Sequence, residues 1–282
     1  MATGDLITTQ FQFEFNGLLM GVDTAYEVVG VEGLDLPGIR DETRKRPREH
    51  GVFDLMPDLL DYRLVDLDLE VLSTSYTPFD TLADATTDFD SLFPLVFMFH
   101  DSVKKYVNCR VRKRSTKVDR STLLGNGRVS LQFWCPDPRV YSLAQSTLSP
   151  GLPAVSGGLA FPFGFNLGFG SATSSSVYAT NDGNMDSYPI FTFAGPLTAP
   201  TVTNVTTGEI FSTASAILSG ETLTVNCADK TVLLGSTSRY SDVSSISSFW
   251  SLVPGINEVK FGATSGSGSC TVSFYSAWSS AL

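Results

Sequence analysis

Short runs in which apolar and polar residues alternate, each closed by Gly, Pro or Asn, recur along this chain, and a single stretch has helical spacing. Alternation with period two sends every second side chain to one face, the pattern of a half-buried strand. Phe11-Gln12-Phe13-Glu14-Phe15-Asn16-Gly17 is such a run, ending in a turn. Further strands are predicted at Tyr26 to Val31, Tyr62 to Leu72, Tyr106 to Arg114 and Gly127 to Trp134. The one helix is predicted to start at Thr77 as cap, with Pro78 at the first helical position and Asp80 at the positive end of the dipole. Phe79, Leu82, Phe89 and Leu92-Phe93 form its apolar face, and Pro94 ends it. The pattern specifies a mainly β protein.

Charge divides the chain in two. Residues 1–142 hold 16 basic and 22 acidic residues, whereas residues 143–282 hold 3 and 7 and are rich in Ser, Thr and Gly. A length of 282 residues suits two domains. The stretch Leu143 to Gly158, with Ser149-Pro150-Gly151, Pro153 and Gly157-Gly158, has linker chemistry. The predicted division is therefore 1–142, a linker at 143–158, and 159–282.

In the second domain, β-like segments recur at Ala160 to Phe169, Ile190 to Phe193, Thr201 to Asn204, Thr222 to Cys227 and Lys230 to Leu234, separated by Asn-Asp-Gly, Thr-Thr-Gly-Glu and Ser-Gly-Glu turns. That spacing predicts a β-sandwich or jelly roll. Its last part reads as a hairpin. Trp250 and Leu252 approach a Pro254-Gly255 turn of type II, Val259 and Phe261 alternate as a strand, Gly262 to Ser269 is a loop, and Val272 and Phe274 alternate again. Trp250, Pro254 and Gly255 are predicted to serve the fold.

Chemistry finds little support. Net charge is −10, which argues against a surface that binds nucleic acid, since phosphate needs a basic patch. The start of the chain lacks a basic, apolar leader pattern, and the longest apolar run, Leu92 to Phe99, is too short to span a bilayer. The four cysteines, 109, 135, 227 and 270, lack metal-site spacing and are predicted to be small buried hydrophobes in a reducing compartment. Asp80, Asp84 and Asp88 are predicted to line a solvated helix face. Asp66, Asp68 and Glu70 are predicted on an exposed or interface-facing strand surface. His50 and His100 have no G-x-S-x-G serine to serve. Gly125-Asn126-Gly127 and Gly266-Ser267-Gly268-Ser269 lack the context of a phosphate loop, and the sequon Asn204-Val205-Thr206 has no secretory signal ahead of it. No catalytic residue, metal or cofactor is predicted.

Two charged segments point instead to contacts with other chains. Residues 38–51 form a long excursion without apolar period, in which Arg40, Arg44, Lys45, Arg46 and Arg48 alternate with Asp41, Glu42 and Glu49. A loop of that length and charge is predicted to be mobile alone and ordered against a partner subunit. The basic run Arg110 to Arg120 favours salt bridges between subunits.

The wording of several turns carries more. The motif Trp250-x-Leu252-x-Pro254-Gly255-x-Asn257-x-Val259-x-Phe261 resembles the end of the siphovirus distal tail protein (minor tail protein) family. Phe133-Trp134-Cys135-Pro136-Asp137-Pro138-Arg139-Val140-Tyr141-Ser142 is similar to the junction that closes that family's first domain. Asn181-Asp182-Gly183, Pro189-Ile190-Phe191 and Gly195-Pro196 resemble a further family segment, as do Gly30 to Leu34 with Arg44 to Arg48 and His50-Gly51. The four patches occur in family order across nearly the whole chain. The resemblance implies a tail-tube-like β-sandwich or split barrel with one packed helix, followed by a galectin-like or jelly-roll β-sandwich. It implies a structural virion protein at the tail tip, assembled in the bacterial cytoplasm. Such a protein forms a homohexameric ring that joins the tail tube, tape-measure and tail-tip proteins, with DNA passing through the lumen. The alternative is a carbohydrate-binding module that recognises a host-surface glycan through Trp250 or Trp278.

Overall fold

A computed structural model describes residues 3–40, 43–50, 52–54, 59–73, 75–99, 102–117, 120, 122–124, 126–156, 171–173 and 176–281. The chain is mainly β and divides into two compact units, residues 1–144 with 278–282 and residues 145–277. The division corrects the predicted boundaries at both ends. Ser146–Leu148, inside the expected linker, pairs with Ser269–Phe274 as a strand of the second unit, and the last five residues belong to the first. Hydrogen-bond pairing decides membership there, and composition does not report it. The strand expected at Ala160 to Phe169 lies outside the described residues.

In the first unit, β1 (Gln12–Phe15), β2 (Leu18–Gly21) and β3 (Tyr26–Glu32) are followed by four short strands: β4 (Ile39–Arg40), β5 (Thr43–Lys45), β6 (Val52–Asp54) and β7 (Leu59–Leu60). Then come β8 (Arg63–Val71), α1 (Thr77–Ala85), β9 (Phe93–Met98), β10 (Lys104–Thr116), β11 (Gly127–Cys135) and β12 (Val140–Ser142). The main sheet runs β2-β1-β9-β10-β11-β8-β3. β10 is the hinge of this arrangement. Its first half pairs with β9 on one side and β12 on the other, its second half pairs with β11, and the register slips between Val111 and Lys113. A bulge bends a strand and lets it pass from one layer to another. The layers enclose Phe13, Phe15, Leu95, Phe97, Val107 and Cys109 from one side and Val65, Leu67, Leu69, Val129, Leu131 and Phe133 from the other.

The helix is shorter than its sequence pattern predicts. Phe79 and Leu82 are buried, but α1 stops at Ala85, Phe89 is 74% exposed, and Phe93-Pro94 opens β9. The end is fixed by side chains that take up its last carbonyls. Arg114 Nη1 donates to Ala83 O at 3.0 Å and Asn16 Nδ2 to Ala85 O at 3.1 Å. A cation at this end also opposes the helix dipole. The carboxylate row consequently does not form: Asp88 lies beyond the helix and accepts the amides of Asp90 and Ser91, which hold its carboxyl below the ordinary range.

The second unit is a sandwich. One sheet runs Ser146–Leu148, Ser269–Phe274, Ile190–Ala194, Thr222–Asn226, Thr231–Leu234, Thr237–Ser238, and the other Ser176–Asn181, Gly255–Gly262, Thr201–Asn204, Glu209–Ser212. Phe191, Phe193, Leu223, Val225, Val272 and Phe274 pack against Ala179, Val202, Phe211, Val259 and Phe261, with Trp250 and Leu252 in the same core.

Candidate subunit interface

The described part of the segment expected as a loop at 38–51 supplies one strand to each of two short two-stranded sheets, together called the ribbon below. Ile39 and Arg40 pair with Leu60 and Leu59, and Thr43, Arg44 and Lys45 pair with Asp54, Phe53 and Val52. The Asp61 amide donates to Gly38 O at 2.8 Å at its root. The sequence boundary at 51 left out the partner strands, because most of the apolar residues, Phe53, Leu59 and Leu60, come after it. The ribbon cannot bury them. Ile39 is 52% exposed, Phe53 44% and Leu59 46%, while the Arg46 guanidinium lies 5.0 Å from the centre of the Phe53 ring. Lys45, Arg46 and Arg48 are exposed near the tip. A ribbon of two strands is marginal in water by itself. This one presents apolar and cationic side chains that its own chain leaves uncovered.

The remaining sequence candidates fall into place as scaffold or surface. Asp66, Asp68 and Glu70 occupy the outward positions of β8, where Val65, Leu67, Leu69 and Val71 point inward. His50 is exposed, and His100 with Asp101 lies outside the described residues. Among the described residues no cluster of three or more His, Cys, Asp or Glu is arranged to hold a metal ion, and no helix is long and apolar enough to cross a membrane. All four cysteines are buried. Burial, with the Cys135 thiol alongside, pushes the Cys109 thiol well up, and burial likewise raises Cys227 and Cys270. Thiols that resist ionisation are poor nucleophiles.

The Trp-to-Phe motif is explained by packing and by three buried asparagines. Trp250 is 1% exposed, its ring centre 4.8 Å from that of Phe191, and its Nε1 donates to Val202 O at 3.4 Å. Trp250 therefore offers no platform to a sugar, and Trp278 is half-buried with Lys105 Nζ 5.1 Å from its ring centre. Gly255 has φ +91°, the conformation the turn requires. Asn257 braces that turn, accepting the Val253 amide at 3.1 Å and donating to Val253 O at 2.8 Å and Gly255 O at 3.1 Å. Asn181 donates to Met185 O and Leu252 O, and its Oδ1 accepts the amides of Gly183 and Ala277. Gly183 has no room for a side chain, since a Cβ would fall 1.7 Å from Ala277 O. Asn204, the sequon residue, is fully buried and donates to Ser251 O at 3.2 Å. No glycan can reach it.

These are the residues on which the family wording rests, and the comparisons agree. Residues 182–278 match the family model of the siphovirus-type tail component, C-terminal domain. All but the last residue of that match falls within the second unit. Two solved structures are similar across the chain as a whole. The Dit protein of phage SPP1, described as a hub of the adsorption apparatus of phages infecting Gram-positive bacteria, aligns with TM-score 0.68 at 14% identity over 95% of this chain and 99% of that one. A chain of the phage P2 baseplate in its activated conformation with Ca aligns with TM-score 0.51 at 11% identity, over 93% and 97%. At such identities the likeness is one of fold, and it extends beyond the siphovirus-type domain to both units. No curated protein sequence matches the chain.

One residue of the first unit escaped the sequence reading. Arg63 is 1% exposed at an inward position of β8. Its Nε donates to Pro138 O at 2.9 Å, Nη1 to Gly33 O at 2.7 Å and to Asp35 O, and Nη2 to Ser279 O at 2.6 Å. Burial lowers its pKa, opposed by Cys135, Asp35 and Asp137, but an arginine remains charged at neutral pH. It staples the C-terminal segment to the first unit, where the Ala281 amide also donates to Leu34 O at 2.8 Å. The available signal was a lone arginine where alternation demands an apolar side chain.

Proposed function

We propose that the chain is a siphovirus distal tail protein: a structural component of the tail tip whose copies associate into a ring, six-fold by the family resemblance, joining the tail tube to the tip proteins. The observation that carries this reading is the combination of a siphovirus-type C-terminal domain with a preceding β unit whose ribbon exposes apolar and cationic side chains. Closed rings remove exposed sheet edges and supply the cover that such a ribbon lacks. The ribbon is then a contact between subunits or with the tube, and the chain acts by assembly rather than by catalysis. Its location is the virion tail, reached from the cytoplasm of the infected cell.

Native mass spectrometry and negative-stain microscopy of the full chain at high concentration test the reading. A ring is the expected result, and Arg44→Glu/Arg46→Glu/Arg48→Glu should abolish it while leaving the far-ultraviolet circular dichroism unchanged. A chain that stays monomeric at high concentration and forms no ring in an assembled tail would refute the proposal. Normal assembly by the triple variant would remove the ribbon from it.

A further inference from the structure

Two of the buried cysteines face each other. Register along β10 and β11 sets Val111 opposite Phe133 and Arg110 opposite Trp134, and one step further brings Cys109 opposite Cys135. Both are at inward positions and 0% exposed, and their thiols interact directly. Residues facing each other across an antiparallel pair have Cα atoms about 4.5 to 5.5 Å apart. A disulfide needs about 4.4 to 6.8 Å. The strands therefore hold this pair at a spacing that a disulfide accepts.

The other two cysteines provide the contrast. In the second unit they flank the Ile190–Ala194 strand from opposite sides: Cys270 lies opposite Phe193, whereas the Cys227 amide donates to Pro189 O. Four residues of extended chain separate Pro189 from Phe193, about 13 Å, well beyond the roughly 7 Å limit for bridging two Cα atoms. All four cysteines are buried, but only the first unit sets two of them face to face. A charge accompanies that pair. Arg63 of β8 is opposite Cys135 on its other side, and its buried guanidinium interacts electrostatically with the Cys135 sulfur. A cation beside a thiol favours the thiolate, the form that reacts. Burial meanwhile pushes Cys109 up and keeps it a neutral thiol.

We propose that Cys109 and Cys135 are a latent disulfide, closed by a small peroxide once the chain is outside a reducing compartment. The Cys135 thiolate attacks one oxygen of hydrogen peroxide. The O–O bond breaks, a sulfenic acid forms at Cys135, and the departing hydroxide takes up the proton that Cys135 has lost. Cys109 then displaces the sulfenic hydroxyl: the S–S bond forms, the S–O bond breaks, and the Cys109 proton leaves with the hydroxyl as water. Two thiols and one peroxide become one disulfide and two waters, with two electrons passing from the sulfurs to the O–O bond. Cys109 is the last residue of β10 to pair with β9 and Arg110 the first to pair with β11. The disulfide thus locks β10 to β11 at the hinge where β10 changes layer. Its chemistry does not depend on the ring reading.

The test uses the full chain, purified reduced and treated with excess hydrogen peroxide under native conditions. Thiols titrated after denaturation should fall from four to two and return to four on reduction. Non-reducing peptide mapping should show a link between Cys109 and Cys135. Cys227→Ala/Cys270→Ala should form the same link and retain no titratable thiol, whereas Cys135→Ala should form none. The first unit of the oxidised chain should melt at least about 5 °C higher. The proposal is overturned if the thiols stay reduced, if they are lost irreversibly as sulfinic acid, or if the link involves Cys227 or Cys270. A link that forms only in denaturant, or that lowers the melting temperature, overturns it equally, since the native spacing would then not admit the bond. Mapping of the wild type needs no substitution, so a variant that misfolds leaves the test intact. Failure here leaves the ring reading standing, because assembly is measured separately.

Discussion

The first unit buries an arginine where the second buries asparagines, and the difference runs through both. In the second, Asn181, Asn204 and Asn257 brace their own turns, with Asn181 and Asn204 also reaching Leu252, Ala277 and Ser251, and residues 143–282 hold only 10 charged residues. Neutral amides cost less to bury than a charge and can brace turns. In the first, Arg63 collects carbonyls from Gly33, Asp35, Pro138 and Ser279, segments far apart in sequence, and Ile39, Phe53 and Leu59 of the ribbon stay exposed.

The comparison is most directly broken at Trp250. Trp250→Ala removes a buried indole from between the sheets and should cost the second unit on the order of 3–5 kcal/mol, a large part of ordinary domain stability. Differential scanning calorimetry should show one transition lost or sharply lowered and the other retained. A single transition lowered as a whole would mean that the units melt together.

Arg63→Met should cost the first unit about 2–4 kcal/mol, because buried carbonyls lose their donor. The diagnostic is local: the Ala281 amide should exchange with solvent far faster than in the wild type. Unchanged protection there would show that the C-terminal segment is held without the arginine.

Asn257→Ala should cost about 1–3 kcal/mol, confined to the second unit, since the Val253 amide and the Val253 and Gly255 carbonyls lose a shared partner. Urea denaturation checks it, and a shift in the first unit's transition would contradict the confinement.

The last effect is alkaline and is absent at neutral pH. Thiols whose folded pKa is raised stay protonated while the unfolded chain ionises, so their stabilisation is complete below the ordinary thiol value of 9.0 and is lost as pH rises above it. Stability of the second unit should fall above about pH 9, by roughly 1.4 kcal/mol per pH unit per thiol. Cys227→Ala and Cys270→Ala should each flatten the slope. In the first unit Tyr141, whose phenol donates to Asp137 and is raised by burial, should add a further loss above its ordinary 10.0.

The sequence by itself determined the β class, the fall in charge between the halves, the buried role of Trp250 and the turn at Pro254-Gly255. All of these follow from period-two alternation, turn chemistry and volume, which act between near neighbours. The tertiary structure helped decide where α1 stops, since its periodic residues continue to Phe93 while Asn16 and Arg114 take up late carbonyls beside the local Thr86 and Thr87 hydroxyls. It also decided that residues 38–51 are one arm of a ribbon, because the partner strands lie beyond that range, and that Arg63 is interior. The facing of Cys109 and Cys135 was hidden for the same reason. Each is legible as a buried thiol, but strand order and register, which are long-range hydrogen-bond choices, bring the two together.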